Sequence, residues 1–332
     1  MSAIAVRMMP ARRWVVESPI AGPMITLVGV FVLFSLFVPN FFTMRSISGI
    51  VNAATMTGVV TIGVTMLMIA GEFDLSVGPM MAMGGFLYGM NSVEGGNLAL
   101  AIVLAIVVPG FMGAINGLIV TRTMIPSFIT TLSTMFIFRG IVWALSGGQM
   151  LQTIEKVWIY EIVNGRLQFL ADAIKNANFR SAGIWLLILV VAVQYVLVRT
   201  RFGNHVFATG GNEGAAAAQG VNIRRTKMYC FILSGVLSGL AGIMLFSQFK
   251  TVRIASGAGI ELQAIAAAVV GGTLLTGGSG SIVGALLGVM IISMLRTGVV
   301  LTDLIPADNF GAIVGVTIIA AAVFNNWVRN KA

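Results

Sequence analysis

The feature of this chain that most constrains its fold is a series of long apolar segments that are almost free of charge. Of its 332 residues, 58% are hydrophobic and only 9% are charged, whereas a soluble domain carries about 25% charged residues. A bilayer core about 30 Å thick is crossed by roughly 20 apolar residues in a helix. The sequence therefore predicts an all-α polytopic membrane protein, folded as a single transmembrane domain over residues 1–332.

Ten segments are candidates for crossing the membrane. The third and the eighth are short, so we expect about 10 transmembrane segments within a range of roughly 8–10. The predicted segments are 19–39, 46–70, 74–91, 97–121, 126–146, 181–199, 227–249, 260–276, 281–299 and 309–328.

The distribution of Lys and Arg predicts the orientation of these segments, because cytoplasmic loops collect positive charge. Basic residues precede the first segment, follow the last one and cluster in 200–226. We therefore expect a cytoplasmic N-terminus over 1–18, a cytoplasmic C-terminus, an external loop over 147–180 and a cytoplasmic loop over 200–226. The net charge of +9 is spread over short loops on both faces, which disfavours nucleic-acid binding.

The cytoplasmic loop 200–226 carries the signals of a short helix. Asn212 can cap its N-terminus, the run from Ala215 to Ala218 favours helix, and Gly220 suits the left-handed residue after the last turn. A helix this short is unstable in isolation. It therefore needs a surface to dock on, which points to a partner protein.

The run GGNEGAAAAQGVN at 210–222 resembles the cytoplasmic loop of the permease subunits of monosaccharide ABC importers, the ribose, xylose and galactose type. The resemblance implies that this helix fits into a cleft of a separate ATPase subunit and carries nucleotide-driven motion into the membrane. Gly214 stands where the broader importer pattern has an acidic residue, although Glu213 is adjacent. The residues implied in coupling to the ATPase are Asn212, Glu213, Gly214, Ala215, Ala216 and Gly220.

A second informative stretch is GEFDLSVGP at 71–79, where two acids lie among Gly and Pro between apolar segments. Broken backbone at membrane depth is tolerated only inside protein or around a water-filled cavity, and transporters use such breaks to build substrate sites. The alternative is a cytosolic turn in which Asp74 caps the next helix. The stretch also resembles the Gly-x-x-Asp-Leu-Ser-Val-Gly signature of the same permeases.

A weak internal repeat favours two pseudo-repeated halves with broken or short helices. Aligning Gly71 with Gly277 also aligns Gly78 with Gly284, and both windows are glycine-rich breaks before apolar runs. Paired breaks in two halves indicate a transport pathway. The residues predicted for the breaks are Gly71, Asp74, Ser76, Gly78, Gly277, Gly278 and Gly280.

Further matches extend the resemblance over most of the chain, including Asn116-Gly117, the segment 125–132 and the segment 261–267. Ribose-type members have Asp where Gln263 stands. A neutral sugar requires polar groups within apolar helices. The candidates for the substrate pathway are Asn52, Thr65, Asn116, Ser133 and Gln263.

Enzyme chemistry has little support in the sequence. Residues 145–149 read LSGGQ, the signature loop of ABC ATPases, but the phosphate-binding Gly-x-x-x-x-Gly-Lys-Ser/Thr run is absent from the chain. With one His and one Cys, the chain offers no structural zinc site and no convincing catalytic triad. We expect no metal and no cofactor on this chain, with ATP and Mg²⁺ bound by the partner ATPase.

The resemblance implies a complete set of partners in a bacterial plasma (inner) membrane. These are ABC ATPase subunits, a periplasmic or lipid-anchored sugar-binding protein, a second permease copy in a homo- or heterodimer, and membrane lipid. The expected function is alternating-access import of a monosaccharide or related polyol, driven by the ATPase. The alternative is an ion-coupled secondary transporter in which Glu72, Asp74 and Glu261 are the coupling carboxylates.

Overall fold

The computed structural model describes residues 20–93, 96–123, 125–155, 157–302 and 310–329, with side chains as far as residue 319. These residues form fourteen helices and one two-stranded antiparallel sheet in which Leu151 pairs with Val252. The helices are α1 (Ala21–Phe37), α2 (Met44–Ile69), α3 (Val77–Ser92), α4 (Leu98–Thr123), α5 (Ser127–Ser146), α6 (Trp158–Asn164), α7 (Gln168–Ala173), α8 (Ala182–Arg199), α9 (Arg201–Gly211), α10 (Glu213–Ala218), α11 (Ile223–Phe249), α12 (Ile260–Val270), α13 (Ile282–Thr302) and α14 (Phe310–Arg329). The strands are β1 (Leu151–Gln152) and β2 (Thr251–Val252).

The all-α polytopic class predicted from composition is confirmed. Among the described residues, six helices are long and apolar enough to cross a membrane, namely α2, α4, α5, α8, α11 and α13. Shorter apolar helices occur in α1, in α12 and in the part of α14 from Phe310 to Ile319. Each of the ten predicted segments contains a helix, but the count of ten crossings stays a prediction. The predicted N-terminal segment 1–18 lies outside the described residues.

Helix α11 lies at the centre of the bundle and packs against α2, α3 and α4. Glycines bring these helices into backbone contact. A Cβ atom at Gly235 would overlap the Pro109 carbonyl oxygen of α4, and one at Gly239 would overlap the Ala105 carbonyl oxygen. Such close approach supplies the van der Waals contact that holds helices together where lipid provides no hydrophobic drive.

The structure shows an internal repeat, but it consists of segments different from those predicted. A long helix, a non-helical connection and a short helix occur twice, as α2 to α3 and as α11 to α12. The N-terminal ends of the two short helices meet, since a Cβ atom at Gly78 would lie 2.6 Å from the Gly257 carbonyl oxygen. Gly71 follows the long helix α2 whereas Gly277 follows the short helix α12. They are therefore not equivalent positions, and they lie in contact with each other.

The structure also corrects one predicted boundary and adds helices within two predicted loops. The segment 260–276 is helical only to Val270, because Gly272 has φ +90° and the glycine-rich connection that follows leaves the helix. The loop 200–226, predicted to be cytoplasmic, contains the additional helix α9, and the loop 147–180, predicted to be external, contains α6 and α7.

Candidate functional site

The short helix predicted in the cytoplasmic loop is α10, and its ends form as expected. Asn212 Oδ1 accepts a hydrogen bond from the Ala215 N–H at 2.9 Å, which satisfies one of the free donors at the helix N-terminus. Gly220 has φ +84°, the left-handed conformation that ends a helix. Glu213, Gly214 and Ala215 are exposed. The helix therefore presents a surface that the other described residues do not cover.

Ala216 departs from the other predicted coupling residues. It is only 5% exposed and faces the protein, whereas its neighbours on α10 face outward. The helical period puts one residue of so short a helix on its inner face. Ala216 therefore packs α10 against the rest of the described structure.

Helix α9 brings the loop against the C-terminal end of α2. It buries Gly203, Val206 and Thr209 on one face. The i, i+3 spacing of these residues is the periodicity that could have revealed the helix from sequence. At its end, a Cβ atom on Gly210 would overlap the Ile69 carbonyl oxygen. Only glycine therefore allows this contact.

Gly71, Gly277 and Gly278, all predicted as break residues, meet at the same place. All three have positive φ, at +87°, +82° and +74°, a conformation that glycine adopts without steric penalty. The Gly278 N–H donates to the Ile69 carbonyl oxygen at 2.8 Å. The ends of α2 and α9 and the connection after α12 therefore form one backbone junction.

Lys227 joins α10 to the first break. Its Nζ lies 2.5 Å from Glu72 Oε1 and also contacts a carboxylate oxygen of Glu213, the first residue of α10. Lys227 is 9% exposed and Glu72 is 7% exposed. Removing one partner of a buried ion pair leaves an uncompensated charge, which costs about 3–5 kcal/mol. The bridge therefore couples the position of α10 to that of the break, a link that no sequence motif indicated.

A cavity of about 600 Å³ opens beside this bridge. It lies between α10, the C-terminal end of α4, the residues before α5 and the first turn of α11. Its lining includes both acids of the bridge, Lys227 and Arg224. A partner that docks on α10 would therefore meet a charged cleft.

Asp74 is buried inside the bundle of helices. It is 0% exposed, and its Oδ1 accepts hydrogen bonds from the Ser76 N–H at 2.9 Å and from Ser76 Oγ at 2.7 Å. Ser234 Oγ of α11 donates to Oδ2 at 3.0 Å, and Asn116 Nδ2 of α4 donates to Ser76 Oγ at 2.8 Å. Asp74 does not cap α3 directly, because Ser76 is the residue at the N-cap. The network joins the break to two long helices.

The structure does not gather the five predicted pathway residues in one place. Asn52 donates to the Asn178 carbonyl oxygen at 2.7 Å, which ties α2 to the segment before α8. Ser133 is exposed on α5 and bonds to the Ile129 carbonyl oxygen. Thr65 is 0% exposed, Asn116 belongs to the Asp74 network, and Gln263 is half-buried on α12. The side chains of Asn52 and Ser133 therefore each have a backbone carbonyl oxygen of the protein as a partner.

Glu261 and Arg139 lie where the two short helices meet. Glu261 Oε1 accepts a hydrogen bond from the Gly259 N–H at 3.1 Å, and a Cβ atom at Gly78 would lie 3.0 Å from Oε2. Arg139 Nη1 of α5 donates to the Ile254 carbonyl oxygen at 2.7 Å and interacts electrostatically with Glu261. Arg139 was not among the predicted site residues, although a single base within an apolar segment is itself a signal of a functional site. Among the described residues there is no group of His, Cys, Asp and Glu that could hold a metal ion.

Comparison with known proteins gives a consistent result. The sequence profile of the family described as branched-chain amino acid transport system / permease component matches residues 46–322. The ribose import permease protein of Bacillus subtilis is 33% identical over 306 residues, covering 92% of both chains. The ribose import permease protein of Escherichia coli K12 is 30% identical, over 96% of this chain and 95% of its own. The autoinducer 2 import system permease protein of Photorhabdus luminescens is 31% identical, over 92% of this chain and 89% of its own. No solved structure matches significantly.

Proposed function

The chain belongs to the family of branched-chain amino acid transport system / permease components, and from this premise we propose that it is the transmembrane subunit of an ATP-driven importer of a monosaccharide or related polyol. The chain is a transport subunit and not an enzyme. Relatives named as ribose import permeases support the sugar class. ATP and Mg²⁺ would be bound by a separate ATPase subunit.

The observation that carries this proposal is the connection of α10 to the first break through Lys227. An ATPase that grips the exposed face of α10 would move Glu213 and, through Lys227, Glu72. The backbone contact of Gly210 with Ile69 carries the same displacement to the end of α2. Binding of ATP on the partner would in this way shift the population between outward- and inward-facing states.

The remaining partners follow from the same proposal. A periplasmic or lipid-anchored binding protein would deliver the solute at the surface formed by 147–180, far from α10. A second copy of the permease, or a related chain, would complete the pathway. With ten crossings, both termini would lie in the cytoplasm of a bacterial inner membrane.

The ion-coupled alternative has less support. Glu72 is held in an ion pair with Lys227, and Asp74 accepts three hydrogen bonds from neutral donors. Glu72 and Asp74 are therefore not poised to exchange an ion with solvent in this conformation. The third candidate, Glu261, accepts a hydrogen bond from the Gly259 N–H, and Gly78 lies over its other carboxylate oxygen.

The test is a pair of substitutions on the outer face of α10. Ala215→Arg places a bulky charge where the ATPase would dock, whereas Ala215→Ser keeps the residue small. Because Ala215 is exposed, neither change should disturb the fold. In vesicles that contain permease, ATPase and binding protein, we expect Ala215→Arg to abolish ATP-dependent uptake and capture of the ATPase, and Ala215→Ser to retain both. Full uptake by the Arg variant would contradict docking at α10.

A further inference from the structure

Resting on the proposed function, we infer that Glu261 and Arg139 form a binding site for the hydroxyl groups of a neutral sugar or polyol where the two broken helices meet. The site is distinct from the Asp74 network and from the Lys227 bridge. It assigns a substrate contact to two charged residues that lie within apolar segments.

The position of Glu261 fits a site in the middle of the pathway. Helix α3 has 16 residues and α12 has 11, so they extend about 24 Å and about 17 Å from their N-terminal ends at 1.5 Å per residue. Helix α3 ends at Ser92, which bonds to Tyr160 of the segment 147–180. Helix α12 ends beside the glycine junction near α10. The meeting point therefore lies between the two faces.

Glu261 has an acceptor that the protein leaves unused. Oε1 bonds to the Gly259 N–H, but Oε2 is buried and no donor among the described residues reaches it. A buried polar atom without a partner is unfavourable, the more so in a charged group. A solute hydroxyl that donates to Oε2 would remove this penalty.

Arg139 supplies the complementary donors. A guanidinium has five N–H groups, and the contact with the Ile254 carbonyl oxygen accounts for Nη1. A hydroxyl group both donates and accepts, so a solute that lies between the carboxylate and the guanidinium could bond to both. The two charges cancel, which favours a neutral ligand because an ionic one would leave a buried charge uncompensated.

Access to the site depends on the separation of the two helix ends. Gly78 covers Glu261 Oε2 in this conformation, and the Gly78 and Gly257 backbones are in contact. Movement of α3 away from residues 257–261 would uncover the carboxylate. The site would then be open to solute in one state and closed in another, as alternating access requires.

The experiment measures import of D-ribose and hydrolysis of ATP together in vesicles that hold the complete complex. Replacing the carboxylate by an amide in Glu261→Gln should reduce sugar imported per ATP roughly tenfold or more, as expected for loss of a charged hydrogen bond. Glu261→Asp keeps the charge and should show a smaller loss. Arg45→Gln, which removes a charge from the exposed N-terminal turn of α2, should retain the wild-type ratio.

The outcomes separate this site from the proposed function. If the wild-type complex imports D-ribose and both Glu261 variants keep the wild-type ratio of sugar to ATP, the site is refuted and the importer stands. A parallel fall in import and hydrolysis that leaves the ratio unchanged would assign Glu261 a structural role and would also overturn the site. If the wild-type complex takes up no ribose with ATP, the ribose-type function and the site fail together.

Discussion

At the scale of single residues, Lys227 carries the most specific structural claim. It is the one described cation that contacts both α10 and the first break. The sequence shows a lysine at the start of an apolar segment, which ordinarily indicates only that this end of the segment faces the cytoplasm. Its two acidic partners could not be identified from local pattern, because Glu72 is distant in sequence and the bridge forms only when α11 packs beside α2.

Substitution of Lys227 by methionine should uncouple the transporter. Lys227→Met leaves Glu72 buried without a counterion, and we expect a loss of stability of about 3–5 kcal/mol. The double variant Lys227→Met/Glu72→Gln removes the unpaired charge and should regain most of the stability. Uptake should remain at least roughly tenfold reduced in both, because α10 has lost its connection to the break. The measurements are thermal unfolding in detergent and ATP-dependent uptake.

Arg225→Met is the control for loss of positive charge near α10. Arg225 is exposed, so its replacement should leave thermal unfolding unchanged. Wild-type uptake by the double variant would show that motion reaches the break without Lys227.

At the scale of elements, the long helices could be predicted and their irregularities could not. Hydrophobic length alone located each of the ten helical segments. The helix α10 could be predicted from local sequence, because its N-cap residue and the glycine that ends it are both within a few residues of the helix. Helix α9 was missed because its polar residues resemble a loop, and the early end of α12 was missed because apolar residues continue beyond Val270.

The residues of the candidate sites could likewise be predicted in part, whereas the contacts between them could not. Breaks at Gly71 and at Gly277 are visible as glycine-rich sequence, but their contact with each other is a property of the packed bundle. Polar residues such as Asn52 and Ser133 were equally plausible pathway groups in sequence. Only the structure shows that Asn52 donates to a carbonyl oxygen in the segment before α8 and that Ser133 donates to a carbonyl oxygen within its own helix.

The packing of α9 on α2 gives a prediction with an adjacent control. Gly210→Ala would force a methyl group into the Ile69 carbonyl oxygen, and overpacking of this kind costs about 1–3 kcal/mol. Gly211→Ala, one residue later, meets nothing closer than 3.9 Å and should be neutral. We expect a lower thermal midpoint and reduced uptake for the first variant only. Equal midpoints for the two variants would contradict the close contact of α9 with α2.

At the scale of the whole molecule, we expect the bundle of helices to be moved by a partner that binds at one of its ends. The exposed helix α10, the Lys227 bridge and the glycine junction lie together at that end, and the two short helices meet deeper in the bundle. Under the proposed function, the energy for accumulation would come from a partner ATPase that acts at this end.

The most direct test of this account is solute accumulation by purified protein in sealed lipid vesicles. The chain alone should not concentrate D-ribose, with or without an ion gradient. Addition of the ATPase subunit, the loaded binding protein and ATP should produce uptake against the ribose gradient, and an uncoupler should leave that uptake unchanged. Accumulation by the solitary chain, driven by an ion gradient and abolished by the uncoupler, would contradict the account.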